Sequence, residues 1–167
     1  MATRSSMTAT PMQTAAAVVG GVFLLVGILG FIPGITTDYD TMQFAGHESE
    51  AMLLGIFQVS ILHNIVHLLF GVAGLALARA WNTARLYLIG GGVIYGVLWL
   101  YGLLIDKQHQ ANFVPLNTAD DWLHLVLAVG MIALGLLLGR NVGRPDTDGR
   151  GVGRGDAGRN RGRGPKL

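Results

Sequence analysis

Residues 51–78 read AMLLGIFQVSILHNIVHLLFGVAGLALA, a run without one Asp, Glu, Lys or Arg. About 20 mostly apolar residues cross the hydrocarbon core of a bilayer. This run therefore suffices for a crossing, and its surplus length implies tilt or an outer end standing beyond the core. Three more apolar runs lie around it. Residues 14–31 (TAAAVVGGVFLLVGILGF) stop at Pro33-Gly34, a pair that breaks a helix and opens a loop. Residues 86–105 and 122–139 are near the minimum spanning length. Backbone groups in lipid must pair within their own segment, and strand-like alternation is absent, so each run is predicted to be a helix. The expected fold is all-α: a polytopic membrane protein with a four-helix transmembrane domain over residues 14–139. Composition agrees, since 51% of the 167 residues are hydrophobic and 13% charged, against about 25% charged in a soluble domain.

The charges between the runs are unevenly placed. Arg4 precedes the first run, Arg79 and Arg85 lie between the second and third, and eight basic residues follow the fourth from Arg140 to Lys166; only Lys107 lies in the other two loops. Eleven of twelve basic residues thus share a side, which by the positive-inside rule makes both termini and the middle loop cytoplasmic. A lone Arg4 before an apolar run also fits a signal peptide, but the run is long for one and FIPGITTDY after it offers no small-residue cleavage box. Residues 1–13 are accordingly a cytoplasmic segment. The absence of cysteine excludes disulfides, thiolate metal sites and cysteine nucleophiles.

Residues 140–167 hold eight glycines, eight basic residues, three aspartates and no aromatic, a composition that cannot bury enough apolar surface to offset ordering entropy. This tail is expected to be disordered and to attract anionic lipid headgroups. Its arginine-glycine repeats resemble nucleic-acid-binding segments, but without aromatics to stack on bases that role is not assigned.

An internal repeat emerges at what reads as the cytoplasmic ends of runs two and four. Asn64-Ile-Val-His67-Leu-Leu-Phe-Gly71 aligns with Asp121-Trp-Leu-His124-Leu-Val-Leu-Ala128, and Gly20-Gly21 weakly echoes Gly91-Gly92. Two tandem helical hairpins of the same orientation would explain it. At 100° per residue Ser60, His63, Asn64, His67, Gly71 and Gly74 share about a third of one helix, while Asp121, His124, Ala128, Gly135 and Gly139 form a stripe on another. Polar and small residues in the hydrocarbon zone face neighbouring helices. Ser60, Asn64, His67, Gly71, Gly74, Asp121, His124 and Ala128 are thus expected to mark the helix seam. Gly92-x-x-x-Gly96 and Gly135-x-x-x-Gly139 add close-approach sites.

The histidines admit several readings. In the plainest, His67 and Asn64 hydrogen-bond across the seam to the third or fourth helix. In a second, His63, His67 and His124 contact a haem or a quinone, as axial ligands do between bundle helices. Counting to the nearest cytoplasmic arginine, however, sets His67 and His124 about 6 Å apart in depth. As metal ligands His63 and His67 share a face at i and i+4, but the glutamate of the hydrolytic helix motif is missing and no carboxylate lies mid-membrane; no metal site is assigned. A small transporter or channel is a third class, disfavoured by the lack of an intramembrane carboxylate and of a proline-broken helix. No hydroxyl lies beside a base and orienting acid, so no catalytic residue is assigned. In the first loop Asp38, Asp40, His47, Glu48 and Glu50 fit no calcium-loop spacing and read as solvated. Trp81, Trp99, Tyr101 and Trp122 suit an interfacial belt.

GFIPG, GIFQVSILHNIVHLLFGVAGLALAR and DDWLHLVLAVG together resemble a group of actinobacterial four-span integral membrane proteins catalogued as a domain of unknown function. The resemblance covers about residues 14 to 140, most specifically Asn64, His67, Gly71, Gly74, Asp121 and His124. It implies four helices and a bacterial inner-membrane location and brings no activity. The function expected is that of a structural or accessory membrane component, with the lipid bilayer and a membrane-protein partner or second copy as its contacts. A redox subunit using the histidines is the alternative.

Overall fold

A computed structural model describes residues 9–140. The Gly/Arg-rich tail from residue 141 onward and most of the N-terminal segment, with the readings attached to them, lie outside the described residues. Four helices dominate: α1 (Pro11–Leu29), α2 (Ile61–Leu77), α3 (Trp81–Leu104) and α4 (Thr118–Leu137). Three short strands, β1 (Thr36–Thr37), β2 (Met52–Leu53) and β3 (Phe57–Gln58), form an antiparallel sheet in the order β1-β2-β3. The fold is therefore mostly helical rather than all-α.

The largest departure from the sequence reading is at 51–60. These residues are not the outer part of a long tilted helix; they make the β2–β3 hairpin and a link to α2. Leu54 (φ 55°) and Gly55 (φ 69°) both adopt the left-handed conformation at its turn, which a right-handed helix cannot continue through. Ser60 then starts the helix, its side chain accepting the His63 N–H at 3.1 Å as an N-cap. The other boundaries shift less, most at α3, which begins five residues before the predicted 86.

Helix starts follow ordinary capping chemistry. Thr10 and Gln13 form a capping box with Pro11 in the first turn of α1, and Asn117 and Asp120 form another on α4. The start of α3 has no side-chain cap. Thr83 instead donates to the carbonyl of Leu77 at 2.6 Å, satisfying the end of α2 across the short turn.

α1, α3 and α4 are each long and apolar enough to cross a membrane; α2, at 17 residues, is shorter. Large apolar side chains stand exposed along all four, among them Val22, Leu69, Val72, Val93, Val126 and Val129. This surface is compatible with a membrane protein.

α1 packs chiefly on α2, and α3 chiefly on α4. The two hairpins make equivalent contacts at several corresponding positions, with an offset of 72 from α1 to α3 and 57 from α2 to α4. Gly20 lies so close to α2 that a Cβ on it would meet the Gly71 carbonyl oxygen at 3.0 Å, and a Cβ on Gly92 would meet the Ala128 carbonyl oxygen at the same distance. Gly30 is packed against the side chain of Asn64, and Gly102 against that of Asp121. Phe23 meets His67 edge-on with ring centroids 5.4 Å apart, and Tyr95 meets His124 at 5.2 Å. Phe23 and Tyr95 are themselves equivalent, and they stack on each other at 5.3 Å where the halves meet. The sequence echo had paired Gly20 with Gly91; packing gives that part to Gly92, one residue on. It also places the Asn/Asp-x-x-His motifs in the first two turns of α2 and α4, at the end opposite the α2–α3 turn and not beside it.

Candidate functional site

The chain segments linking the helices cap one end of the bundle. Ala51, Leu53 and Val59 are buried there, with Val26 and Leu29 of α1 packed against them. Asp120 ties this cap to α4: its carboxylate accepts the N–H groups of Gln58 at 3.1 Å and Asn117 at 2.9 Å, while Asn117 donates to the Ile56 carbonyl at 2.8 Å. On the opposite side Asn112 braces the segment before α4 through its bonds with the carbonyls of Lys107 and Leu116 and the Leu116 N–H. Lys107, the one basic residue at this end among the described residues, sits 2.8 Å from Asp121 and donates to the Gly102 carbonyl at 2.7 Å. One side chain thus caps the end of α3 and compensates a buried carboxylate at the start of α4.

Under the cap lie the histidines. His67 and His124 each fall seven residues after their N-cap, Ser60 and Asn117. This removes the depth offset inferred from the arginines: α4 simply runs further than α2 before meeting one. His63, His67 and His124 are all more than nine-tenths buried. The Nε2 atoms of His63 and His67 are 3.1 Å apart. For neutral rings, one must donate and the other accept, so the donor ring leaves its Nδ1 as a free acceptor and the acceptor ring carries its proton on Nδ1. Neither of these Nδ1 atoms has a protein partner, and neither has the Nδ1 of His124. A buried polar group left unsatisfied costs about 1–3 kcal/mol, so three within one cluster call for an explanation beyond packing.

The cross-seam hydrogen bonds expected of Asn64 and His67 are not formed. His67 pairs with His63 on its own helix, and the Asn64 amide nitrogen has no partner. The reason is the way the hairpins pack. The stripe on α2 is covered by α1, where Gly20 and Gly27 admit its backbone and Gly30 the Asn64 side chain, and the stripe on α4 is covered by α3. All eight seam residues are buried, but only at the histidines do the stripes approach a common space.

That space is two chambers sharing one imidazole wall. The larger, about 280 Å³, lies between α2 and α3 and is bounded by His63, His67, His124, Tyr95, Leu98 and Phe113. The smaller, about 90 Å³, lies between α1 and α4 and is bounded by the same three histidines with Val26, Asp120 and Leu127. The chambers correspond under the repeat, Val26 in one matching Leu98 in the other and Asp120 matching His63. Among the described residues no three of His, Cys, Asp or Glu form a metal-holding group.

Sequence reading missed Phe23, Tyr95, Lys107 and Asp120. The first two look like ordinary core aromatics. Lys107 was counted only for its side, although its isolation opposite an Asp-Asp pair was the available signal. Gly96 makes only ordinary contact, so in its Gly-x-x-x-Gly pair Gly92 alone provides close approach.

Residues 13–137 match the model of a family described as a domain of unknown function (DUF4383). No curated protein and no solved structure matches the chain.

Proposed function

We propose, for a chain that belongs to the DUF4383 family, the role of a four-span integral protein of the bacterial plasma membrane, an accessory component with both termini cytoplasmic. The observation that carries this reading is the exposed apolar surface on every helix, α2 included, where Leu69 is 64% and Val72 56% exposed. A soluble bundle would leave that surface in water. α2 spans about 25 Å at about 1.5 Å per residue, short of a core about 30 Å thick. The internally hydrogen-bonded cap and the Ser60 N-cap supply the remaining depth without exposing backbone groups to lipid. Orientation follows from Arg79, Arg85 and the basic tail on one side and Lys107 on the other. In this reading the tail attracts anionic headgroups and the lateral surface meets lipid, a membrane-protein partner or a second copy.

Of the two cofactor classes considered, the cluster suits a quinone-type head better than haem. A haem held between His124 and either His63 or His67 needs a free Nε2 on one of the latter two, and both are engaged with each other.

The test is made in cells. The chain should remain in the membrane pellet after an alkaline carbonate wash, a fluorescent protein fused at its C-terminus should fluoresce, and the same protein fused after Gly46 should be dark. Release by carbonate, or fluorescence of the Gly46 fusion, overturns the reading.

A further inference from the structure

The larger chamber carries an inference of its own. It is roofed and floored by apolar and aromatic side chains, and its wall includes three buried imidazoles whose Nδ1 atoms have no hydrogen-bond partner among the protein's side chains. Its mouth, between α2 and α3, is flanked by Val66, Val97 and Phe113, which are 43%, 60% and 57% exposed. The opening therefore faces the same surroundings as the apolar belt. At about 280 Å³ the chamber is slightly smaller than most ligand pockets, which run from about 300 to 1,000 Å³. It has room for one substituted ring, with any tail left outside.

The polarity narrows the occupant further. A charged head has no counterion here: no carboxylate lines the chamber, and among the described residues the only Lys or Arg at this end, Lys107, is held by Asp121 and the Gly102 carbonyl. A neutral imidazole offers one donor and one acceptor, and the His63–His67 pair leaves one of each, which matches a hydroxyl or a carbonyl group. Tyr95 and Phe113 provide aromatic walls against which a flat ring packs in edge or offset geometry.

We propose that this chamber binds a neutral, membrane-soluble ring compound bearing carbonyl or hydroxyl groups, of the quinone and hydroquinone class, with its ring on the His63–His67–His124 wall and its tail leaving through the α2–α3 mouth. The route of entry rests on the membrane placement proposed above; the binding itself does not. A test in detergent therefore reads the chamber alone, and its failure is distinguishable from a failure of the carbonate and fusion test.

The probe is a decyl-tailed dimethoxymethylbenzoquinone, titrated into the full chain in detergent with its five histidines labelled with ¹⁵N in the rings. Binding should saturate at one molecule per chain and shift the imidazole signals of His63, His67 and His124 while leaving His47 and His109 in place. Val97→Trp, at an exposed position on the mouth, should weaken binding at least tenfold. Val72→Trp, equally exposed and remote from the chamber, should not change it. His67→Phe keeps the ring volume but removes both nitrogens, and should weaken binding about fivefold even if Val97→Trp fails to fold. Uptake that rises without saturation and is the same in the wild type, Val97→Trp and His67→Phe, or shifts spread over all five histidines, would overturn the proposal.

Discussion

A Gly20→Leu chain is expected to lose about 3 kcal/mol or more of stability in detergent, at the upper end of overpacking costs. A Cβ at Gly20 would lie 2.9 Å from the Leu75 backbone nitrogen and 3.0 Å from the Gly71 carbonyl oxygen, so only movement of one helix away from the other makes room. Backbone cannot rotate aside as a side chain can. The neighbouring Gly21 has nothing within 4 Å. Gly21→Ala should therefore be neutral or stabilising by up to about 1 kcal/mol, through the lower helix propensity of glycine. Thermal unfolding in detergent separates the two. Equal effects at adjacent glycines would contradict the close α1–α2 approach, and Gly92→Leu in the second hairpin should behave like Gly20→Leu.

The second large effect concerns Lys107. Its side chain is 27% exposed and that of Asp121 only 5%, so Lys107→Met strands a buried carboxylate. Removing one partner of a fully buried pair costs about 3–5 kcal/mol; with Lys107 partly in solvent, about 2–3 kcal/mol is expected. The repeat suggests its own remedy. Asn64 stands where Asp121 stands, against Gly30 in place of Gly102, and needs no cation. The double variant Lys107→Met/Asp121→Asn should recover most of the loss. Melting temperatures of the two chains decide it: a double variant no more stable than the single one would show that Lys107 acts mainly by capping α3 through the Gly102 carbonyl.

Much of the architecture is legible without coordinates. Freedom from charge marks the apolar runs, and the positions of Arg79, Arg85 and Lys107 order the ends. Asn64-x-x-His67 beside Asp121-x-x-His124 already points to two like hairpins. Hydropathy fails at residues 51–60, because a buried strand and a buried helix can be equally apolar. The discriminating signals there are small: Gly55 inside the run, and Ser60 placed as an N-cap. The site is harder to read. A helical wheel shows that Asn64, His67 and Gly71 share a face but not which helix covers it, so a shared seam is the natural expectation. The glycines decide otherwise. Gly20, Gly27 and Gly30 draw α1 over one stripe, and Gly92 and Gly102 draw α3 over the other. Only the histidines are left to share the chambers, a consequence of packing that no single segment encodes.

The account depends most on α2 crossing the bilayer despite its 17 residues. The chain has no cysteine, so single cysteines can be introduced without background. Glu48→Cys and Ala80→Cys place exposed thiols on the two sides of α2, to be labelled with a membrane-impermeant maleimide before and after permeabilisation. Labelling of position 48 from outside, and of position 80 only after permeabilisation, is the predicted result. Labelling of both positions under the same condition would place the two ends of α2 on one side and contradict the four-span bundle.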